Sequence, residues 1–262
     1  MCTILIARHV HPRFPLVIAA NRDEIRARPS APPRLLDVEH DVRGGQDLVA
    51  GGTWLGVAKL RFLTAVTNQR THRPPDPSRA SRGALVMDLL RDPSTERSRA
   101  RLAAIAPNHY NGANVLVGDV QSLHVAYLRD DEATRVVAVP EGVSVLTNGE
   151  LDERDAFPKI DRLIALTSPL LDDEEGLVVQ LHAALGDHAR PPIERIPSPP
   201  EGSMFTGDQL ADLHAICVHA TFGAAAYGTV SSSILLFGDD GTVARWEHVE
   251  GSPCTHPRAR IL

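Results

Sequence analysis

Residues 2–24 read CTILIARHVHPRFPLVIAANRDE, and this stretch sets the fold. Two apolar runs, Thr3 to Val10 and Leu16 to Ala20, flank the turn-forming segment His11-Pro12-Arg13-Phe14-Pro15. Such a pattern predicts an antiparallel hairpin. Neither run alternates apolar with polar, so both strands should be covered on both faces. If Val10 pairs with Leu16, antiparallel counting sets Ile4 opposite Arg22, Thr3 opposite Asp23 and Cys2 opposite Glu24. The thiol of Cys2 then lies beside the polar run Asn21-Arg22-Asp23-Glu24 at the end of the neighbouring strand.

That juxtaposition suggests nucleophilic chemistry. A free thiol, with pKa ~8.5, is mostly protonated at neutral pH and needs a base or a cation nearby. Removal of Met1 would free the Cys2 α-amine, pKa ~7.7–8.0, as a base attached to the nucleophile itself. Arg22 would favour the thiolate and hold a carbonyl or carboxylate. Asp23 would orient the α-ammonium. A cysteine at such a position is otherwise an ordinary packing residue, and the N-R-D-E run a turn rich in local hydrogen bonds.

Working outward, Ser30 to Arg34 reads as a proline-rich loop, and Gly51 to Lys59 with Phe62 to Thr67 as further strands. Ser81 caps a helix to about Arg91, and Thr95 to Ala106 is a second helix ended by Pro107. Strands return at Ala113–Val117, Leu123–Leu128, Arg135–Val139 and Val143–Leu146. Helices follow at Phe157–Leu166, Asp173–Leu185 and Gln209–Val218, with the proline-rich connection Pro191–Pro200 between the last two. Gly228–Phe237 and Val243–Val249 close a hairpin across Gly238-Asp239-Asp240-Gly241. Blocks of strands and helices, instead of a strict βαβ alternation, predict layered antiparallel sheets with helices outside, an α+β sandwich. The 262 residues fit a single domain over 1–262 with its proline clusters as internal loops.

Composition narrows the function. Hydrophobic residues at 43% and charged residues at 23% are globular values, and the net charge of −6 offers no basic face for nucleic acid. Apolar runs are too short for a membrane span. Lys59 and Lys159 are the sole lysines among 27 basic residues, which argues against Schiff-base chemistry. Three cysteines without a CxxC pair point to a reduced, cytoplasmic setting. Cys217 reads as core and Cys254 carries no assigned role. His9 with His11, and His214 with His219, match no metal-ligand spacing. The sequence therefore predicts no metal and no cofactor, and nothing in it specifies an oligomeric state.

Met1-Cys2-Thr3 and Ala20-Asn21-Arg22-Asp23-Glu24 resemble the NRDE family, also called the transport and Golgi organisation family. So do Gly51-Gly52-Thr53-Trp54-Leu55-Gly56, Thr67-Asn68-Gln69-Arg70, Ser81-Arg82-Gly83, Tyr110-Asn111-Gly112, Thr147-Asn148 and Tyr227-Gly228-Thr229, in order along most of the chain. This family is similar to N-terminal-nucleophile hydrolases, the choloylglycine hydrolases and penicillin V acylases among them. The resemblance implies a four-layer αββα sandwich, with Cys2 as nucleophile, Arg22 and Asp23 as supports, and Asn68 and Asn148 at oxyanion or amine contacts. It also implies substrate contacts within the same motifs, from Asn21, Glu24, Trp54, Arg70, Tyr227 and Thr229. Neutral amide donors suit a developing alkoxide. Adjacent Arg22 and Asp23 start on opposite faces of a regular strand, so a bulge or strand end must re-aim one of them. Val230 stands where the family often has arginine, and no second arginine late in the chain matches the acylases. The implied function is an N-terminal cysteine amidohydrolase or acyl-transfer enzyme acting on a small amide or acyl substrate. A second reading is a non-catalytic binder of lipid, acyl-CoA or haem. A third is a structural protein keeping the sandwich alone.

Overall fold

The computed structural model describes residues 2–262; Met1, and with it the expected trimming to Cys2, lies outside them. The opening hairpin is formed by β1 (Cys2–Arg8) and β2 (Leu16–Ile25), both buried through most of their length. Its register differs from the count made on Val10. Arg8 pairs with Leu16 and Cys2 with Arg22. The reason is local: His9 adopts a left-handed φ of 52° and its N–H donates to the Pro15 carbonyl (2.9 Å), so the turn begins before Val10. The slip is by an even number of positions, so each side chain keeps its face.

The chain continues through β3 (Ser30–Asp37), β4 (Val42–Asp47), β5 (Leu55–Ala58) and β6 (Phe62–Asn68), then α1 (Arg82–Arg91) and α2 (Thr95–Ala103). Strands β7 (Ala113–Gly118), β8 (Leu123–Leu128), β9 (Arg135–Ala138) and β10 (Gly142–Leu146) precede α3 (Lys159–Thr167) and α4 (Glu174–Leu185). One 3-10 turn (Ile193–Arg195) interrupts the proline-rich connection, followed by α5 (Gly207–Leu213) and β11 (His219–Phe222). The chain closes with β12 (Ala225–Phe237), β13 (Val243–Glu250) and β14 (Ala259–Arg260). Ser81 caps α1 through its side chain, as the sequence predicts, and Asp173, expected as the first helical residue, caps α4.

Two expectations are corrected. The Ser30–Arg34 loop is the start of β3, an edge strand whose register shifts between Ala31 and Arg34, across Pro32 and Pro33. Proline lacks the ladder N–H and is tolerated at such an edge. The helix expected over Gln209–Val218 stops at Leu213, and His214 caps it. Beyond it, Cys217 donates its N–H to Asp187 and the chain enters β11.

One sheet runs β10-β1-β2-β12-β13-β14, with β11 on β12; the other runs β3 to β9 in sequence order. Ile4, Ile6, Ile18 and Ala20 meet Val57, Leu63 and Leu116 between the sheets. Leu5, Ala7, Val17 and Ala19 turn the other way, onto Ile160 and Leu163 of α3 and Leu177 and Leu181 of α4. Val115, Val117 and Ala126 of the second sheet pack on α1 and α2 through Leu85, Leu89 and Leu102. The result is the four-layer αββα sandwich. It explains why the opening strands are apolar without alternation: each is buried on two sides.

Candidate active site around Cys2

Strand alternation sorts the N-R-D-E run. Cys2 and Arg22 are paired across β1 and β2 and share the face with Ile4 and Ala20, toward the second sheet. Asn21 and Asp23 take the helix face. The adjacent Arg22 and Asp23 therefore do lie on opposite sides. The expected re-aiming does not occur on β2: the register shift here lies on the partner strand, where β12 slips against β2 between Thr229 and Ser231.

On the inter-sheet face, the Arg22 guanidinium stacks 4.0 Å from the Trp54 ring centroid, and its Nη2 donates to Asp47 Oδ2 at 3.4 Å. Its buried Nη1 has no partner among the described residues. Cys2 and Arg22 border a void of about 10 Å³ with Trp54 and Ser231 to Ser233, room for about one water. Burial pushes the Cys2 thiol up from its ordinary value, with the Asp23 carboxylate adding to this; the Asp23 backbone N–H and Arg22 act in the opposite sense. At neutral pH this sulfur is a thiol that needs a base.

On the helix face, Asp23 Oδ1 accepts from the Thr229 hydroxyl at 2.6 Å, and the Asp23 carbonyl accepts from Tyr227 Oη at 2.9 Å. Thr229 is fully buried, so it holds Asp23 and does not line the groove described below. Its own Oγ1 accepts from the Val218 N–H at 2.8 Å. Burial raises the Asp23 carboxyl, opposed by Lys159 and the Thr229 hydroxyl. Asn21 is buried and donates through Nδ2 to the carbonyls of Leu185 and Ile216, each at 2.9 Å. Its placement ties β2 to the end of α4. Asn21→Ala leaves both carbonyls unpaired and should cost about 2–4 kcal/mol, read from the urea midpoint at unchanged m-value.

Asn68 ends β6, and its carbonyl accepts from the Asn148 side chain. Asn148 is buried with Oδ1 unpartnered among the described residues. Arg70 stacks over Phe157 at 4.6 Å and donates to His214 Nε2 at 2.9 Å, and burial lowers its pKa to about 10. An open groove of about 440 Å³ runs past Glu24, Asn68, Arg70 and Tyr227, with Phe205 and Phe222 on its apolar side. The structure thus brings Cys2, Arg22 and Trp54 together, and separately Asp23 with Tyr227 and Thr229, on the two faces of one strand pair. Asn68, Arg70 and Glu24 lie along the neighbouring groove.

Two further residues lie near the site without a role assigned from the sequence. Lys159, first in α3, is wholly buried, donates to the carbonyls of Leu213 (3.3 Å) and Ala215 (3.4 Å), and senses both Asp23 and Cys2. Burial lowers its pKa to about 8, opposed by Asp23. Burial dominates both groups, so Asp23 and Lys159 each lean toward the neutral form. The signal was its rarity: a compact ammonium in a chain that otherwise uses arginine. Arg82 is the second. It lines the groove beside Asn68, donates to the Gly112 carbonyl at 3.2 Å, and feels the Cys2 charge. A close approach sets its position: a Cβ on Gly52 would fall 2.3 Å from the Gly83 carbonyl carbon. Gly52→Ala should therefore push the first turn of α1 and Arg82 outward, lowering Tm; a Tm within error of the parent would show that α1 yields freely.

A profile of the Transport and Golgi organisation 2 family matches residues 1–250. The chain belongs to this family. The bovine Transport and Golgi organization protein 2 homolog is 28% identical over 257 residues, covering 93% of this chain and 91% of the bovine protein. The human homolog is 27% identical, with the same coverage of 93% and 91%. Among solved structures, a Caenorhabditis elegans N-acylethanolamine-hydrolyzing acid amidase ortholog superposes with a TM-score of 0.53 at 11% identity, over 90% of this chain and 92% of that one. The C2A mutant of conjugated bile acid hydrolase from Clostridium perfringens gives 0.51 at 10% identity, over 100% and 97%. This member of the Transport and Golgi organisation 2 family thus has the N-terminal-nucleophile hydrolase fold. At such identities the likeness speaks to the fold alone.

Proposed function

We propose that the protein is an N-terminal cysteine amidohydrolase or acyl-transfer enzyme acting on a small amide or acyl substrate. The observation that carries this is the pairing of Cys2 with Arg22 on one face, backed on the other by Asp23. A buried thiol with a raised pKa cannot ionise unaided, and no histidine partners it among the described residues. In this reading Met1 is removed, and the new α-amine takes the thiol proton as the sulfur attacks the carbonyl carbon. Asp23, braced by Thr229 and Tyr227, orients that amine. The free Arg22 Nη1 and the Asn68 amide receive the developing oxyanion. The amine then returns the proton to the leaving nitrogen, and water releases the acyl group from sulfur. Trp54 keeps Arg22 flat against the second sheet. Arg70, Arg82 and Glu24 set the polar end of the groove, with Tyr227 at its apolar side. Asn148 positions Asn68.

Iodoacetamide tests the reading. Mature protein should take up one fast-reacting label at Cys2, absent in Cys2→Ala and slowed about tenfold or more in Asp23→Asn. Equal labelling rates in the parent and Asp23→Asn would refute the orienting role given to Asp23.

The groove itself favours a second reading, in which the same protein holds its ligand without chemistry. Phe205, Phe222 and Met204 line it together with Arg70, Arg79 and Arg82, which suits an apolar body bearing an acid group, as in an acyl chain or haem. Haem titration followed by absorbance distinguishes it: saturable binding that persists in Cys2→Ala, with no amide turnover in the parent, would favour the binder.

A further inference from the structure

Away from the groove, β11 and the C-terminal segment bring three metal-binding side chains to one point. Cys217 Sγ lies 3.5 Å from Cys254 Sγ and 3.7 Å from His219 Nε2, and His219 Nε2 lies 3.2 Å from Cys254 Sγ. Metal–ligand bonds of about 2.3 Å to sulfur and 2.0–2.1 Å to nitrogen give a tetrahedron with edges of roughly 3.5–3.8 Å. The three observed separations are close to one face of such a tetrahedron. Two sulfurs and an imidazole are a soft donor set suited to zinc. The remaining side opens onto a cavity of about 400 Å³ lined by His188, Arg190, Asp212 and Thr255. Its fourth position is therefore open to water or a small molecule.

We propose that Cys217, His219 and Cys254 form a zinc site with an open fourth coordination position. The proposal departs from the expectation of no metal. That expectation rested on spacing, and spacing is uninformative here because Cys254 comes from the turn between β13 and β14, far along the chain. One contact opposes the metal. Arg26 Nη2 donates to His219 Nδ1 at 3.0 Å, which places the imidazole proton on Nε2. Zinc needs that nitrogen bare, so the proton must move to Nδ1 and Arg26 must turn away. Ser252 Oγ, 3.1 Å from both Nη1 and Nη2 of Arg26, already offers it another partner. The site also sits next to the hydroxyl that holds Asp23: Val218, between Cys217 and His219, donates its N–H to Thr229 Oγ1. Metal binding would fix that strand end.

The test uses full-length protein, reduced and stripped with a chelator under anaerobic conditions, then titrated with cobalt(II). One equivalent should produce tetrahedral d–d bands and a thiolate charge-transfer band, both removed by one equivalent of zinc. Cys254→Ser and His219→Ala should each lose the charge-transfer intensity or weaken zinc binding by about tenfold or more. These two positions are partly or fully exposed, which keeps the test sound if the buried Cys217→Ser variant fails to fold. Cys2→Ala should titrate like the parent, and Arg26→Ala as tightly or more tightly. Absence of the bands, their persistence in Cys254→Ser, or a Cys217–Cys254 disulfide forming in the presence of excess zinc would overturn the proposal.

Discussion

Replacing Cys2 by alanine is expected to lower amide turnover by about 10³-fold or more, because the covalent route disappears with its sulfur. The substitution keeps the β1–β2 ladder, whose pairing at this point is made by main chain. Far-UV circular dichroism and Tm should therefore stay close to the parent. Ligand affinity should also survive, since the groove is lined by residues other than Cys2. Hydrolysis of a panel of acyl amides with different chain lengths reads the effect directly. Parent-level turnover in Cys2→Ala would remove the nucleophile from the account, even with the fold unchanged.

The second large effect belongs to Lys159. Burial lowers its pKa from 10.5 to about 8, so between these values the folded protein binds fewer protons than the unfolded chain. Stability from this group is fully present above about pH 10.5 and is lost as pH falls through about 8, by about 3 kcal/mol in all. Lys159→Met removes the ammonium. Its urea-unfolding free energy should lack the rise that the parent shows from pH 8 to 10, the comparison cancelling titrations common to both proteins. At pH 7 the relief of no longer burying an ammonium is offset by the loss of the donor to the Leu213 and Ala215 carbonyls and of the cation facing Asp23. The pH slope and not the absolute stability is therefore the readout. Activity should change as well. Asp23 loses the cation that opposes its raised pKa and shifts further toward the protonated form, so the acid limb of the pH–rate profile moves upward. A variant with parent stability slope and unshifted profile would show that Lys159 merely fills space.

The hairpin was the most legible part of the molecule because two continuous apolar runs can be satisfied only between two covering layers. The same reading misplaced the register at Val10, since a left-handed residue at His9 leaves no compositional trace. The prolines near β3 pointed to a loop because edge position, which makes them tolerable, is a property of the sheet. Gln209 to Val218 has helical apolar spacing, yet Val218 gives its N–H to Thr229, a partner 11 residues away on β12. In the site, Cys2 and Arg22 could be counted into proximity along one hairpin. Lys159 and Arg82 could not, because each enters from a helix end whose approach depends on packing such as that of Gly52 on Gly83. Cys254 meets Cys217 across 37 positions, beyond any local motif.

The intact mass of the protein from cells, before and after a brief incubation with an acyl-amide substrate at low pH to slow deacylation, tests the central claim most directly. The account predicts a mature chain lacking Met1 that gains one acyl group, mapped to Cys2 by peptide fragmentation. A chain that keeps Met1 and gains no adduct would contradict it.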